Sequence, residues 1–217
     1  MNRMTTIATR GLVLERIRIA RADRVLIELS LAVAPGEVAT VMGPSGVGKS
    51  TLLAYVGGFL APAFTGEGRV LLDGVDVTDV APALRHIGVL FQDDLLFPHL
   101  SVAGNLLFAL DPQVRGRKAR RAAVDEALAG IGLEGFGERD PATLSGGQRA
   151  RVALARVLLS KPRALLLDEP FSRLDAGLRD QIRQLVFGAA REHALPVLLV
   201  THDAADAAAA GGPVVAL

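Results

Sequence analysis

Apolar residues in this chain are concentrated in short runs, most of them bounded by glycine or proline. Residues 25–33 are apolar at nearly alternate positions and are followed by Pro35 and Gly36, which predicts a strand and a turn. Residues 38–42 form a short apolar run that ends before Gly43, and such a run is typical of a strand buried on both faces. Strands of that kind predict a parallel sheet.

Helical patterns alternate with further strands along the rest of the chain. A helix is predicted over residues 49–59, directly after a glycine-rich turn, and residues 101–132 carry apolar side chains at helical spacing, which predicts a helical insertion. Amphipathic helices are expected before and between the last long strands. The additional predicted strands are 69–72, 87–91, 164–167, 197–200 and 213–217. This layout is an α/β sheet core interrupted by helices.

Composition and charge are those of a folded globular protein. The chain has 217 residues, of which 50% are hydrophobic and 22% charged, and we expect one domain. The net charge of +1 provides no overall field that would favour nucleic acid. The absence of cysteine excludes disulfides and thiolate metal sites and fits a reducing cytosol. Residues 1–10 lack the apolar core of a secretory signal, and no run approaches the roughly 20 residues of a membrane helix.

Two features of the composition leave interpretations open. The basic run at residues 115–121 suggests nucleic acid or lipid head groups as partners, but no aromatic residue that could stack on a base is interleaved with it. We therefore interpret it as a solvated helix face and assign it no function. The abundance of alanine and leucine reflects either compositional bias or an apolar surface that docks to a partner.

The glycine-rich segment before the first predicted helix fits the phosphate-loop pattern of glycine, four residues and Gly-Lys-Ser. Its glycines allow backbone N–H groups to converge on phosphate oxygens, and the start of the helix favours an anion. Lys49 provides a charge for the β- and γ-phosphates, and the hydroxyl of Ser50 is a ligand for Mg²⁺. The predicted nucleotide-binding residues are Gly43, Pro44, Ser45, Gly46, Val47, Gly48, Lys49, Ser50 and Thr51.

Two carboxylates follow the predicted strand at residues 164–167. Asp168 is suited to hold hydrated Mg²⁺ from the opposite side of the phosphate site. Glu169 is suited to orient or deprotonate a water molecule for in-line attack on the γ-phosphate. Water is then the phosphate acceptor, which favours hydrolysis over transfer to a substrate.

The pentapeptide Leu-Ser-Gly-Gly-Gln at residues 144–148 ends 20 residues before Asp168. It resembles the signature of ABC transporter ATP-binding subunits, and the resemblance covers nearly the whole chain, residues 11–217. In that family the signature of one subunit closes over the ATP held by a second, head-to-tail copy. The residues that the resemblance assigns to this contact are Ser145, Gly146, Gly147 and Gln148.

Other positions match motifs of the same family. Gln92 matches the glutamine that contacts Mg²⁺ and the attacking water, and His202 matches the switch histidine that contacts the γ-phosphate. Residues 172–175 resemble the D-loop, and residues 97–102 resemble the importer segment beside the groove for a helix of the membrane subunit. The resemblance thus implies Glu169, His202 and Gln92 as catalytic residues and Ser50, Gln92 and Asp168 as metal ligands.

The resemblance also implies a fold. We expect a P-loop NTPase core of the RecA-like type, with an antiparallel β subdomain and an inserted α-helical subdomain that carries the signature. Within the single domain of residues 1–217, the core is expected at about 1–92 and 155–217 and the helical subdomain at about 93–154.

The partners and the activity follow from the resemblance too. The family implies an ATPase that uses ATP and Mg²⁺ at the cytoplasmic face of the membrane. The expected partners are a second copy of the chain, transmembrane permease subunits and a substrate-binding protein, with no nucleic acid. Import is expected. The alternatives are an exporter or lipid-release ATPase and a soluble ABC ATPase that acts on DNA or ribosomes.

The chain departs from the family pattern at three positions. The aromatic residue that stacks on adenine usually stands 23 positions before the first phosphate-loop glycine, where this chain has Ala20. Stacking on a base contributes about 1–3 kcal/mol, so we expect weak discrimination between ATP and GTP. Arg173 and Ala150 replace a common alanine and a common glutamine, and in the YnjD-type ATPases, which the chain most resembles, they are subgroup traits.

Overall fold

The computed structural model describes residues 10–217, so the prediction about a secretory signal falls, apart from Arg10, outside this part. The strands are β1 (Leu12–Arg21), β2 (Arg24–Val33), β3 (Val38–Met42), β4 (Thr65–Leu72), β5 (Val75–Asp76), β6 (Ile87–Leu90), β7 (Ala164–Asp168), β8 (Val197–Thr201) and β9 (Val214–Ala216). The α-helices are α1 (Lys49–Gly57), α2 (Val102–Ala109), α3 (Arg117–Gly130), α4 (Gly146–Leu159), α5 (Ala176–Glu192) and α6 (Ala204–Ala210).

A parallel sheet with the strand order β6-β7-β8-β3-β9 forms the centre of the fold. The short apolar strands β3, β7 and β8 are buried along almost their whole length, as their sequences predict. Their pairing sets Met42 opposite Thr201 and Asp168 opposite Val200. The carboxyl ends of these neighbouring strands therefore meet at one edge, which is where open α/β sheets bind ligands.

An antiparallel sheet with the order β2-β1-β4-β5 packs beside the parallel sheet. The sequence pattern did not predict β1, because a bulge interrupts its alternation of apolar and polar residues. Arg16 has a φ of 48°, and the pairing with β2 shifts register between Leu14 and Ile17. The extra residue changes the buried set from even to odd positions, so a simple period of two is lost. The predicted α/β fold with antiparallel and parallel sheets is confirmed.

Alternate residues of the parallel strands enter two separate cores. Leu166 of β7 packs with the antiparallel sheet and with Leu52 of α1, whereas Leu165 and Leu167 pack with Phe171 and with α4 and α5. Each fully buried aliphatic side chain contributes about 1.5–3 kcal/mol, so covering both faces of the sheet is a large part of the stability. The parallel sheet is therefore held rigidly between two layers.

The predicted helical insertion consists of two helices, α2 and α3, which pack on α4. Their core contains Val102, Leu106, Val124, Leu128, Val152 and Ala155. Helix α4 also contributes Leu154 to the core beneath the parallel sheet, so the signature helix contacts both layers. The helix predicted at residues 49–59 ends earlier, at Gly57, because Gly58 adopts a left-handed φ of 85°.

The basic run lies at the start of α3. Its residues are exposed except Arg120, which is half-buried and donates a hydrogen bond to the carbonyl oxygen of Leu107 at 2.9 Å. Arg121 lies 3.7 Å from the carboxylate of Glu138. These positions agree with a solvated helix face.

Asp73 connects the antiparallel sheet to the start of β7. Its carboxylate accepts hydrogen bonds from the N–H of Gly11 at 2.9 Å and from Nη2 of Arg163 at 2.7 Å. These contacts, the first above all, hold the pKa of Asp73 below its usual value. Because the folded-state pKa is the lower one, the stabilisation is present near neutral pH and is lost as the pH falls from about 4 through that pKa.

We expect Asp73→Ala to lower the free energy of unfolding by about 1–2 kcal/mol at pH 7, because a backbone N–H loses its acceptor. The loss should be smaller at a second pH that lies below the lowered pKa of Asp73, where the wild-type carboxylate is protonated. Urea denaturation at both values measures this, with the turn variant Asp23→Ala as control. An equal loss at both values would contradict an electrostatic role.

Candidate nucleotide-binding site

The predicted phosphate loop, residues 43–48, connects the carboxyl end of β3 to α1. Gly46 and Gly48 have φ values of 83° and 110°, which other residues rarely adopt. A Cβ atom on Gly43 would lie 2.9 Å from Cγ1 of Val47. The shape of the loop therefore depends on its glycines.

Helix α1 begins with N–H groups that no side chain caps. Its N-cap residue is Gly48, and its first turn contains no acidic residue. Free N–H groups and the positive end of the helix dipole favour an anion. A phosphate group therefore fits this end of the helix.

The side chain of Lys49 is folded back over the loop. Its Nζ donates to the carbonyl oxygens of Gly43 and Pro44, at 2.8 and 3.1 Å, and lies 3.4 Å from Oε1 of Glu169. Only 5% of Lys49 is exposed. Because a buried ammonium group is costly unless it is paired, these contacts hold its charge at the phosphate loop.

Ser50 and Asp168 bring two side-chain oxygen atoms together beside the loop. The Ser50 hydroxyl donates to Oδ1 of Asp168 at 2.9 Å. Burial raises the pKa of Asp168, and the nearby charge of Glu169 adds to the increase. A divalent cation would compensate this buried negative charge. Within residues 10–217 no three His, Cys, Asp or Glu side chains gather into a metal site.

Glu169 lies at the centre of this cluster. Its Oε1 faces Lys49, and its Oε2 lies 3.0 Å from Nδ1 of His202. Its backbone has a left-handed φ of 46°, and the hydroxyl of Ser172 donates to its carbonyl oxygen at 2.9 Å. Such a conformation costs about 1–3 kcal/mol in a non-glycine residue and is common at functional sites. The predicted residues that these contacts join are Lys49, Ser50, Asp168, Glu169 and His202, and they are called the Lys49–Glu169 cluster below.

Gln92 is exposed just beyond the end of β6. It lines a cleft of about 460 Å³ together with Pro170 and Arg173, which follow Glu169. Among the described residues it has no hydrogen bond to the Lys49–Glu169 cluster. Gln92 is therefore near the loop that carries Glu169, but it is not in direct contact with that group.

The signature residues form an ordered helix start. The hydroxyl oxygen of Ser145 accepts from the N–H of Gln148 at 3.2 Å, and Oε1 of Gln148 accepts from the N–H of Ser145 at 2.9 Å. A Cβ atom on Gly147 would lie 2.5 Å from Cδ1 of Leu178, so α4 and α5 approach closely there. Within residues 10–217 no hydrogen bond joins these signature residues to the Lys49–Glu169 cluster.

Comparison with known families agrees with this site. The family described as ABC transporter matches residues 26–172, which include the phosphate loop, the signature and both carboxylates. The chain belongs to the ABC transporter family. The predicted family and ATP binding are confirmed, and this ABC protein is an ATP-hydrolysing subunit.

Curated relatives cover most of this ABC ATPase. YnjD of Escherichia coli K12, an ABC transporter ATP-binding protein, is 53% identical over 184 residues, which are 85% of this chain and 84% of YnjD. The thiamine import ATP-binding protein ThiQ of Cereibacter sphaeroides is 47% identical over 194 residues, 89% of this chain and 82% of ThiQ. The spermidine/putrescine import ATP-binding protein PotA of Chromobacterium violaceum is 44% identical over 182 residues, 84% of this chain and half of PotA. The predicted resemblance to YnjD-type and importer ATPases is confirmed.

In residues 10–217 of this ABC ATPase no helix combines the length and the apolar character that a membrane span requires.

Ala20 stands where the family usually has an adenine-stacking aromatic residue, and in this ABC ATPase its side chain is buried. Ala20 is 5% exposed and pairs with Val25 and Thr65 in the antiparallel sheet. Beside it, the guanidinium of Arg21 lies 5.8 Å from the ring centroid of Phe64. Sequence reasoning did not find this pair, because Arg21 ends β1 and Phe64 lies just before β4, far away in the sequence.

Arg173, whose role the sequence left open, forms an ion pair with Asp93, the residue after Gln92. The pair connects the D-loop to the segment that carries Gln92. Both side chains are more than half exposed, and such pairs contribute about 0–1 kcal/mol to stability. Ala150 lines the same cleft, and nothing in the structure explains that substitution.

Proposed function

We propose that this ABC ATPase hydrolyses Mg²⁺-bound ATP to drive import through separate membrane-spanning subunits. The observation that carries the proposal is the carboxylate of Glu169, which lies between Nζ of Lys49 and Nδ1 of His202. This supports Glu169 as the group that accepts a proton from the attacking water, with His202 and the phosphate loop close by. Lys49 and the N–H groups of the loop stabilise charge on the phosphate oxygens.

We assign Ser50, Asp168 and Gln92 as the residues that hold Mg²⁺. The hydrogen bond between Ser50 and Asp168 and the raised pKa of the Asp168 carboxyl support this assignment. When bound, the ion neutralises negative charge on the β- and γ-phosphates. Of these three residues, Gln92, which lies just beyond the end of β6, has to approach the ion from across the cleft.

We also propose that two copies associate head to tail, with Ser145, Gly146, Gly147 and Gln148 of one copy on the ATP of the other. Ser145 is exposed at the start of α4, and a helix start is suited to phosphate. A two-fold arrangement then provides two equivalent sites.

The proposed partners in the assembled transporter are transmembrane permease subunits and a substrate-binding protein, which would hold the ATPase at the cytoplasmic face of the membrane. The names of ThiQ and PotA support import and do not favour an exporter, a lipid-release ATPase or an ABC ATPase on DNA or ribosomes. Exposed Leu95 and Phe108, at 56% and 71%, support a docking surface beside residues 97–102. The ring of Phe108 contacts that of Phe97, with centroids 4.7 Å apart.

The proposal is tested by purifying the tagged chain from detergent-solubilised membranes and measuring its ATPase activity. We expect transmembrane subunits to be retained and the complex to hydrolyse ATP. Phe108→Glu should lose those subunits while the isolated chain keeps its nucleotide affinity. Recovery of the wild-type chain free of membrane proteins would contradict a role in transport.

We expect weak discrimination between ATP and GTP, because Ala20 offers no ring for the base. Steady-state kinetics should give kcat/KM values for the two nucleotides that differ by less than about tenfold, which corresponds to about 1.4 kcal/mol. Ala20→Tyr adds the missing ring and is expected to increase the difference between the two kcat/KM values. A hundredfold preference of the wild type for ATP would show that another group recognises adenine.

A further inference from the structure

Two arginines one turn apart on α5, Arg179 and Arg183, approach the segment that contains His202. That segment, residues 201–206, runs from the end of β8 into α6 and is called the switch segment below. Residues four apart lie on the same side of a helix, so both guanidinium groups can contact one neighbouring segment. Neither arginine was singled out by its sequence context.

Arg179 joins the switch segment to the D-loop. Its Nη1 donates to Oδ2 of Asp203 at 3.1 Å, and its Nη2 donates to the carbonyl oxygen of Leu174 at 2.9 Å. Its Nε is buried and has no hydrogen-bond partner among the described residues. One planar group therefore contacts the residue after His202 and a residue five positions after Glu169.

Arg183 fixes the other end of the switch segment. Its Nε donates to Oδ1 of Asp206 at 2.7 Å, and Oδ2 of Asp206 accepts from the hydroxyl of Thr201 at 2.7 Å. Arg183 and Asp206 are 7% and 2% exposed. Breaking a buried ion pair leaves an uncompensated charge and is strongly destabilising, so this part is a stable anchor.

His202 is held between these contacts through its neighbours. The N–H of Asp203 donates to the hydroxyl of Thr201 at 3.0 Å, which closes a tight turn around His202. The imidazole itself is half exposed, and Glu169 is its hydrogen-bond partner among the described residues. Its position therefore depends on the backbone of the switch segment rather than on side-chain packing.

We infer that Arg179 is a positioning residue that sets the distance between His202 and Glu169 according to the position of the D-loop. This inference rests on the proposed hydrolysis at Glu169. Arg183 anchors the switch segment through Asp206 and also donates to Oδ2 of Asp203 at 3.4 Å. Arg179 is the residue that ties Asp203 to the carbonyl oxygen of Leu174. A movement of the D-loop, such as contact with a second copy would cause, is thereby transmitted to His202.

The test is steady-state ATP hydrolysis by the full chain carrying Arg179→Ala. We expect kcat to fall about 10- to 100-fold, because small misplacements of catalytic groups have effects of that size. KM for ATP should change less than twofold, since none of the contacts of Arg179 involves the phosphate loop. Arg191→Ala, an exposed arginine on the same helix, is the matched control and should leave both constants unchanged.

The double variant Arg179→Ala/His202→Ala distinguishes positioning from a general structural role. If Arg179 acts through His202, the double variant has the same kcat as His202→Ala alone; multiplicative losses would overturn the inference. Arg179→Lys keeps one contact and should recover part of kcat, which also provides a result if the alanine variant does not fold. A wild-type kcat in Arg179→Ala or in His202→Ala would overturn the inference as well. Failure of the proposed hydrolysis would appear differently, as absence of activity in the wild type and in Arg191→Ala.

Discussion

Replacing Glu169 with glutamine is expected to lower kcat for ATP hydrolysis by about 10²- to 10⁴-fold, the usual contribution of a general base. Glutamine has the same shape but cannot accept the proton of the attacking water. It can still accept a hydrogen bond from Lys49, which lies 3.4 Å from the carboxylate, so the phosphate loop should be undisturbed. The dissociation constant for ATP is therefore expected to stay within a few-fold of the wild type.

The measurement combines steady-state hydrolysis with equilibrium binding of a fluorescent ATP analogue. Glu192→Gln, at the exposed end of α5, is the control for loss of one negative charge. In the proposed cycle the Glu169 variant also accumulates as an ATP-bound dimer, which size-exclusion chromatography detects. Wild-type hydrolysis by Glu169→Gln would show that another group activates the water.

Lys49→Ala is expected to weaken ATP binding itself, by about 10- to 100-fold, since hydrogen bonds to charged groups contribute about 1.5–3 kcal/mol each. Lys49 is the buried cation of the loop, and its removal leaves the phosphates without a compensating charge. The same change leaves Glu169 without its ammonium partner, so hydrolysis should fall further than binding. The effect on binding separates this variant from Glu169→Gln.

Binding of the fluorescent ATP analogue measures the loss, and Lys118→Ala is the matched control. Lys118 is exposed in the basic run at the start of α3, and its removal should leave the dissociation constant unchanged. Unchanged binding by Lys49→Ala would contradict its assignment as a phosphate ligand. Weaker binding by Lys118→Ala would instead give the basic run a function.

Local sequence predicted much of the fold because the relevant signals are short. Residues 38–42 and 197–200 are apolar throughout or nearly so, and strands with that pattern are buried on both faces wherever they occur. The phosphate loop was equally clear, since only glycine tolerates the φ values found at Gly46 and Gly48. Strand β1 was missed because the bulge at Arg16 changes the parity of its buried residues.

The site was predicted as a set of residues, and their arrangement was not. The sequence by itself determined the phosphate loop, the carboxylates at the end of β7, the signature and the family, because each is carried by neighbouring residues. Only the tertiary structure decided that Ser50 contacts Asp168, 118 positions later, that Glu169 lies between Lys49 and His202, and that Arg179 joins the D-loop to the switch segment. These contacts depend on which strands are neighbours in the parallel sheet, and the order of strands in space is set by packing of distant segments rather than by any local pattern.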